Sequence, residues 1–241
     1  MDLVVIKFGG SSLSNNEDLN QVVQKTISFI EKGKRVVVIL SAQGNTTDNL
    51  LEQARELNLN PNKRELDMLL SVGEQIACSK FAILLHTLGY QAVSLNGWQA
   101  GIMTDSDYTE AKIKDIHPIR IWEELDKNQV VVVTGFQGID ELGNITTLGR
   151  NGSDTTAVAI AAALEQKECY IFKDINGVYD KNPKEFADAK RIDSLSYKEM
   201  DKIIQNGSNV LHDRCVKIAE KYKIKIIVSC SFNEEQGSII E

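Results

Sequence analysis

Cysteine is scarce in this chain, with 4 in 241 residues. Cys78, Cys169, Cys215 and Cys230 are spaced too widely and irregularly for a metal knuckle or a disulfide framework. They read as reduced, mostly buried thiols of a cytoplasmic protein. Histidine is scarcer still, and His86, His117 and His212 do not cluster as metal ligands do, so no protein-held metal is expected. Positive charge is outnumbered, 27 lysines and arginines against 34 aspartates and glutamates, for a formal net charge of -7. That excludes a nucleic-acid partner, which needs clustered cations to neutralise phosphate. The opening MDLVVIKFGG has no basic leader and too short an apolar run for a signal peptide. No other stretch is expected to reach a membrane-spanning length. Three nucleotide-binding signatures are absent as well: G-x-x-x-x-G-K-[ST], G-x-G-x-x-G after a strand, and the protein-kinase motif set.

What is present is a series of short β-branched runs. LVVIKF (3–8), RVVVIL (35–40), VVVV (130–133), CYIF (169–172) and KIIV (225–228) are continuous rather than alternating, as strands covered on both faces are. Between the first two, Leu19, Val22, Val23, Ile27 and Ile30 recur with helical period, and Gly33 ends the run. A strand, a helix and a strand over some forty residues make a right-handed βαβ unit. A longer helical pattern over about 63–88 places Leu66, Leu69, Leu70, Ile76, Ala77 and Leu84 on one broad face. Only 3 prolines interrupt the alternation that follows. The fold class is therefore α/β, a three-layer α/β/α sandwich on a mainly parallel sheet. Trp98 and Trp122 read as packing residues.

In such a sheet, ligands sit outside the carboxyl ends of the strands. Four strands here are followed by GGSS, SAQGNTTD, TGFQGIDELGNITTLGRNGSD and KDINGVYDKNP. All are rich in glycine and hydroxyls, and together they build a phosphate-sized cleft from backbone donors. In one of them, LGRNGSDTT runs straight into the helix body Ala157 to Leu164, with Ser153 or Asp154 as the expected N-cap. A helix N-terminus suits an anion, although an ordinary capped loop has the same pattern. Lys7 closes an apolar strand directly before Gly9 and Gly10; it either snorkels to solvent or lies over a transferring phosphate.

The segments KFGGSS, SAQGNTTD, RELDMLLSVGEQ, SLNGWQAGIMTD, GFQGID, TTLGRNGSDTTAVAIAAAL and KDINGVYDKNP, in this order from Lys7 to about Gly237, resemble the signature segments of the aspartokinases, within the amino acid kinase family. GWQAGI and TTLGR followed by GSDTT are specific to aspartokinases. The resemblance implies the amino acid kinase (carbamate kinase-like) fold, with an amino-acid-binding lobe and a nucleotide-binding lobe meeting near residues 140–150. It implies a cytoplasmic enzyme that transfers the γ-phosphoryl group of ATP, brought in with Mg²⁺, to the side-chain carboxylate of L-aspartate, the first step toward lysine, threonine and methionine.

On this resemblance Lys7 and Asp154 are catalytic. Phe8, Gly9, Gly10, Lys173, Asp174, Tyr179, Lys184, Asn209 and Val210 serve the nucleotide with Lys7, and Ser41, Thr47, Glu74, Arg150 and Ser153 serve the substrate. Arg150 offers a fork for a carboxylate and Glu74 a counter-charge for an ammonium. Asn151 stands where glycine is common, Lys184 where arginine is common, and Asn209 and Asp213 where lysine and proline are common. These departures leave two alternatives open: a non-catalytic nucleotide-binding paralogue, and an amino acid kinase with a different acceptor. Family members continue into paired ACT domains where this sequence stops, so no regulatory domain is expected; a homodimer and a separate regulatory chain stay open.

Overall fold

All five β-branched runs become strands of one sheet. The computed structural model describes residues 2–183, 185–208 and 210–241. In chain order the elements are β1 (Leu3–Phe8), α1 (Asn16–Glu31), β2 (Arg35–Leu40), α2 (Thr46–Leu57), α3 (Lys63–Leu70), α4 (Val72–Thr87), β3 (Ala92–Leu95), β4 (Ile102–Thr104), β5 (Ile113–Ile116), α5 (Ile119–Asp126) and β6 (Val130–Thr134). There follow β7 (Gln137–Ile139), β8 (Ile145–Thr147), α6 (Gly152–Ala163), β9 (Glu168–Lys173), β10 (Val178–Tyr179), β11 (Arg191–Ile192), β12 (Ser194–Leu195), α7 (Tyr197–Gln205), α8 (Asp213–Tyr222), β13 (Lys225–Cys230) and β14 (Ser238–Ile240).

The main sheet runs β12-β14-β13-β9-β1-β2-β6-β3. Every pair is parallel except β13 with β14. Strand periodicity of two sorts its side chains between two cores. Val5, Val37, Ile39, Val131 and Val133 face α5, α6 and α8, whereas Val4, Ile6, Phe8, Val38, Leu40 and Val132 face α1 and α4. Each fully buried valine or isoleucine contributes on the order of 1.5–3 kcal/mol. The expected three-layer, mainly parallel architecture is what forms, and its strands' carboxyl ends open on one edge.

Three local expectations need correction. The loop after β6 contains a hairpin, β7 and β8, which joins β4 and β5 in a second, four-stranded sheet. Asp140 holds its turn by accepting from the backbone of Leu142 and Asn144. The pattern at 63–88 is two helices with Ser71 between them, and Ile76 is 44% exposed rather than on the buried face. Taken as one segment, 63–87 is long and apolar enough by length and composition to cross a membrane, contrary to expectation, yet half of its most apolar window is buried within the fold. Last, the N-cap of α6 is Asn151, not Ser153 or Asp154, which lie inside the first turn. Their side chains are taken elsewhere, Ser153 by Ser41 and Asp154 by two lysines.

Asn151 adopts a left-handed backbone, φ 58° and ψ 16°. Asparagine tolerates that conformation better than any other residue with a side chain of its size, after glycine. This accounts for asparagine where glycine is common. Asn151→Gly is therefore expected to leave stability within about 0.5 kcal/mol, whereas Asn151→Val, β-branched at positive φ, costs about 1–2 kcal/mol. Urea unfolding of the two variants checks this; equal midpoints would mean that the backbone at 151 is not constrained.

Candidate active site

The four strand-end loops line one cleft of 1040 Å³. Its floor is set where β1 and β9 run side by side, Lys7 opposite Ile171 and Phe8 opposite Phe172. Because successive strand residues point to opposite faces, Lys7 turns toward α6 and Phe8 toward α1. Lys7 does not snorkel: it is 3% exposed, and its Nζ donates to Asp154 Oδ1 at 2.5 Å. Lys173, at the end of β9, donates to Asp154 Oδ2 at 3.1 Å. One fully buried carboxylate in the first turn of α6 thus joins two ammoniums.

Burial alone would raise the Asp154 pKa, but Lys173 and Lys7 outweigh it and hold the carboxyl below its usual range. Burial pulls the Lys7 ammonium down and Lys173 adds to that, with Asp154 opposing. The loop after β1 must come close to the loop after β2. A Cβ on Gly10 would stand 2.6 Å from the Ala42 carbonyl oxygen, so only glycine fits, and Gly44 N donates to Gly10 O at 2.9 Å.

At the other end of the cleft Glu74, in the first turn of α4, is 3% exposed. Its Oε1 accepts from Ala42 N at 3.0 Å, and its buried Oε2 has no partner among the described residues. Burial raises its pKa to about 8, the Ala42 N–H and Lys7 offsetting only part. Ser41 and Ser153 share a hydrogen bond of 2.7 Å between hydroxyls. Thr47 lines the same wall from the first turn of α2, and Asp48 beside it pairs with Arg150 at 3.0 Å. Arg150 is open to solvent, with 87% of its side chain exposed. Toward β10, the cleft is lined by Asp174, Tyr179 and Val210. Lys184 and Asn209 lie outside the described residues.

Among the described residues, Phe8 is the expected site residue whose side chain the fold turns away from the cleft. Its side chain is fully buried in the opposite core and stacks on Phe172, centroids 5.1 Å apart. Only its carbonyl reaches the site region, accepting from Ser41 N at 3.2 Å. Conversely, the sharing of Asp154 by Lys7 and Lys173 has no local signature, because the two lysines are far apart in sequence and meet only through parallel pairing. Asp67 was also missed. Its fully buried carboxylate accepts from Thr147 N at 2.9 Å, Thr147 Oγ1 at 2.6 Å and Thr109 N at 3.0 Å. An acid set among apolar residues in RELDMLLSVGEQ was its only signal.

The arrangement is a cleft with anion-seeking charge and a helix N-terminus at one end, and an unpartnered carboxyl oxygen and an arginine at the other. An aspartokinase of Geobacillus stearothermophilus is 45% identical over all of this chain, which covers 59% of that protein. Aspartokinase 2 of Bacillus subtilis is 43% identical over all of it, again 59% of the relative. The chain thus spans about three fifths of the length of these curated relatives. The crystal structure of an aspartate kinase from Synechocystis superposes with a TM-score of 0.87 at 36% identity, over 99% of this chain and 39% of that one. A UMP kinase from Ureaplasma parvum, 18% identical with a TM-score of 0.71 over 100% of this chain and 98% of that one, shares the fold alone. The family model for the amino acid kinases matches residues 2–230, and with the cleft built as described on that fold, the chain belongs to the amino acid kinase family.

Proposed function

We propose that this chain transfers the γ-phosphoryl group of ATP to the side-chain carboxylate of L-aspartate, giving 4-phospho-L-aspartate and ADP. The observation that carries this reading is the Lys7–Asp154–Lys173 group, which leaves one net positive charge buried at the cleft floor. Full-chain identity of 43% to 46% to aspartokinases supports aspartate as the acceptor. In this reading the enzyme works in the cytoplasm at the head of lysine, threonine and methionine synthesis, and it is compatible with a homodimer.

The acceptor carboxylate is ionised at neutral pH, so no general base is needed. One of its oxygens bonds to the γ-phosphorus while the bond from that phosphorus to the bridging oxygen breaks, and the electron pair leaves on ADP. Such a transition state needs alignment and charge more than covalent help. Lys7 supplies the charge over the transferring group, and Asp154 holds both lysines in place. The backbone of Gly9 and Gly10 lies at the phosphates, with Lys173, Asp174, Tyr179 and Val210 on the nucleotide; Lys184 and Asn209 belong to the same group by sequence. Both Asp154 oxygens are engaged by lysines, so Mg²⁺ would be held by phosphate and water, supplying further charge neutralisation. The Glu74 Oε2 without a partner fits the α-ammonium, Arg150 leaves Asp48 for the α-carboxylate, and Ser41, Thr47 and Ser153 fix orientation. The acceptor side lies mainly in the first lobe and the nucleotide side mainly in the second, the two meeting near residues 140–150.

The direct test is a coupled assay with ATP and Mg²⁺. Hydroxylamine-trappable acyl phosphate is expected from aspartate and not from glutamate, and none from either would overturn the reading. Lys7→Ala and Asp154→Ala should each lower kcat by on the order of 10²-fold or more. Arg150→Ala should act mainly through the aspartate KM, because that contact is made in the ground state too.

Glu74 adds a test in pH. Folded, it keeps its proton up to about pH 8; unfolded, it loses it near 4.5. The folded chain therefore binds the extra proton between those values, and this group makes stability fall as pH rises through the window. Glu74→Gln cannot ionise, so its unfolding free energy should decline less than wild type between about pH 5 and 8. Its aspartate KM should rise by roughly tenfold or more, as for a lost charged hydrogen bond. Parallel stability curves would show that Glu74 is ionised in the empty cleft.

A further inference from the structure

The loop that carries Arg150, between β8 and α6, is held from two sides by side chains that the proposed chemistry does not use. On one side Asp67 of α3 fixes Thr147 by backbone and hydroxyl, and it also fixes Thr109 N with both of its oxygens. Thr109 sits at φ 75°, a conformation that a β-branched residue adopts only when its surroundings impose it. The imposed bend brings Glu110 against the loop, where a Cβ on Gly149 would be 2.5 Å from Glu110 Oε2.

On the other side stands Arg214 in the first turn of α8. Its guanidinium donates to Leu148 O at 3.2 Å, Ala111 O at 2.9 Å and Glu110 O at 3.3 Å, and pairs with Glu110 Oε2 at 3.1 Å. It therefore joins the acceptor loop to a helix whose preceding residues, Ser208 and Val210, line the nucleotide end of the cleft.

We propose that Arg214 is a positioning residue that couples the two ends of the cleft, so that nucleotide at one end and the amino-acid acceptor at the other bind with positive cooperativity. The proposal rests on the aspartate kinase reading above. Nucleotide that settles against Ser208 and Val210 bears through α8 on Arg214. Since Asp67 pins Thr147, any displacement of the guanidinium is taken up by Leu148–Asn151, the stretch that carries Arg150 and opens α6. Arg150 lies on Asp48 in the structure, and nucleotide favours its release toward the acceptor. The planar fork matters, because Nη1 meets the carbonyls while Nη2 meets the Glu110 carboxylate, and the single nitrogen of a lysine at 214 could not take up both positions.

The test is calorimetric titration of L-aspartate into the full chain, with and without saturating Mg²⁺ and a non-hydrolysable ATP analogue. In wild type the analogue should tighten aspartate by about fivefold or more, the lower end of usual coupling. In Arg214→Met, and in Arg214→Lys should the first not fold, the factor should drop below about twofold, and the analogue should lose the same factor in the reciprocal titration. A merely structural arginine would lower Tm and weaken both ligands while leaving the ratio unchanged, and that result would overturn the proposal. So would a factor of one in wild type. Wild type that makes no aspartyl phosphate fails the functional reading instead; active wild type whose variants keep the ratio fails Arg214 alone.

Discussion

Everything in the cleft depends on one fully buried carboxylate shared by two ammoniums. Taking three charges out of water is costly, and the group persists because each Asp154 oxygen has its own donor and α6 turns its positive end toward the same carboxylate. The sum is not neutral. One positive charge is left over, buried where water cannot screen it well, and a phosphate chain is a group that would neutralise it. Stability and ligand preference therefore have the same source: the fold tolerates an excess of charge that an anion relieves.

The sheet makes this possible by bringing distant segments into register. β1 lies between β2 and β9, so the residues that follow each strand emerge side by side at one edge. Close approach of the first two loops requires Gly10, and the hydroxyls of Ser41 and Ser153 tie the loop after β2 to α6. At the Arg150 end the backbone is also held by polar groups, Asp67 accepting from the N–H groups of Thr109 and Thr147 and Arg214 donating to the carbonyls of Ala111 and Leu148. Such bonds fix position without filling the space a ligand needs.

Much of this was legible in the sequence. Continuous β-branched runs located the central strands, because strands covered on both faces have no polar side to alternate with. The glycine- and hydroxyl-rich loops after four of them do line one cleft. What escaped was set by neighbours rather than by local pattern. The β7–β8 hairpin is three residues a side, too short to show a period, and only its turn residues Asp140, Gly143 and Asn144 marked it. Ser153 and Asp154 are good caps in isolation, but long-range partners claimed their side chains. Phe8 entered the site by resemblance, but strand alternation puts it on the face opposite Lys7. The pairing of Arg150 with Asp48 joins a loop to a helix far upstream, which no window along the chain could contain.

The central position of β1 also sets an order of events during synthesis. Val5 pairs with Val37 on one side, and that partner follows quickly; on the other side it pairs with Cys169. At about 5–20 residues per second, the ribosome delivers that second neighbour roughly 10 to 30 s later. Throughout that interval the nascent chain carries an open, strongly apolar strand edge, with Lys7 lacking the carboxylate that will bury with it. The positively charged floor of the cleft is thus completed late, and until then the exposed edge of β1 is open to pairing with another chain.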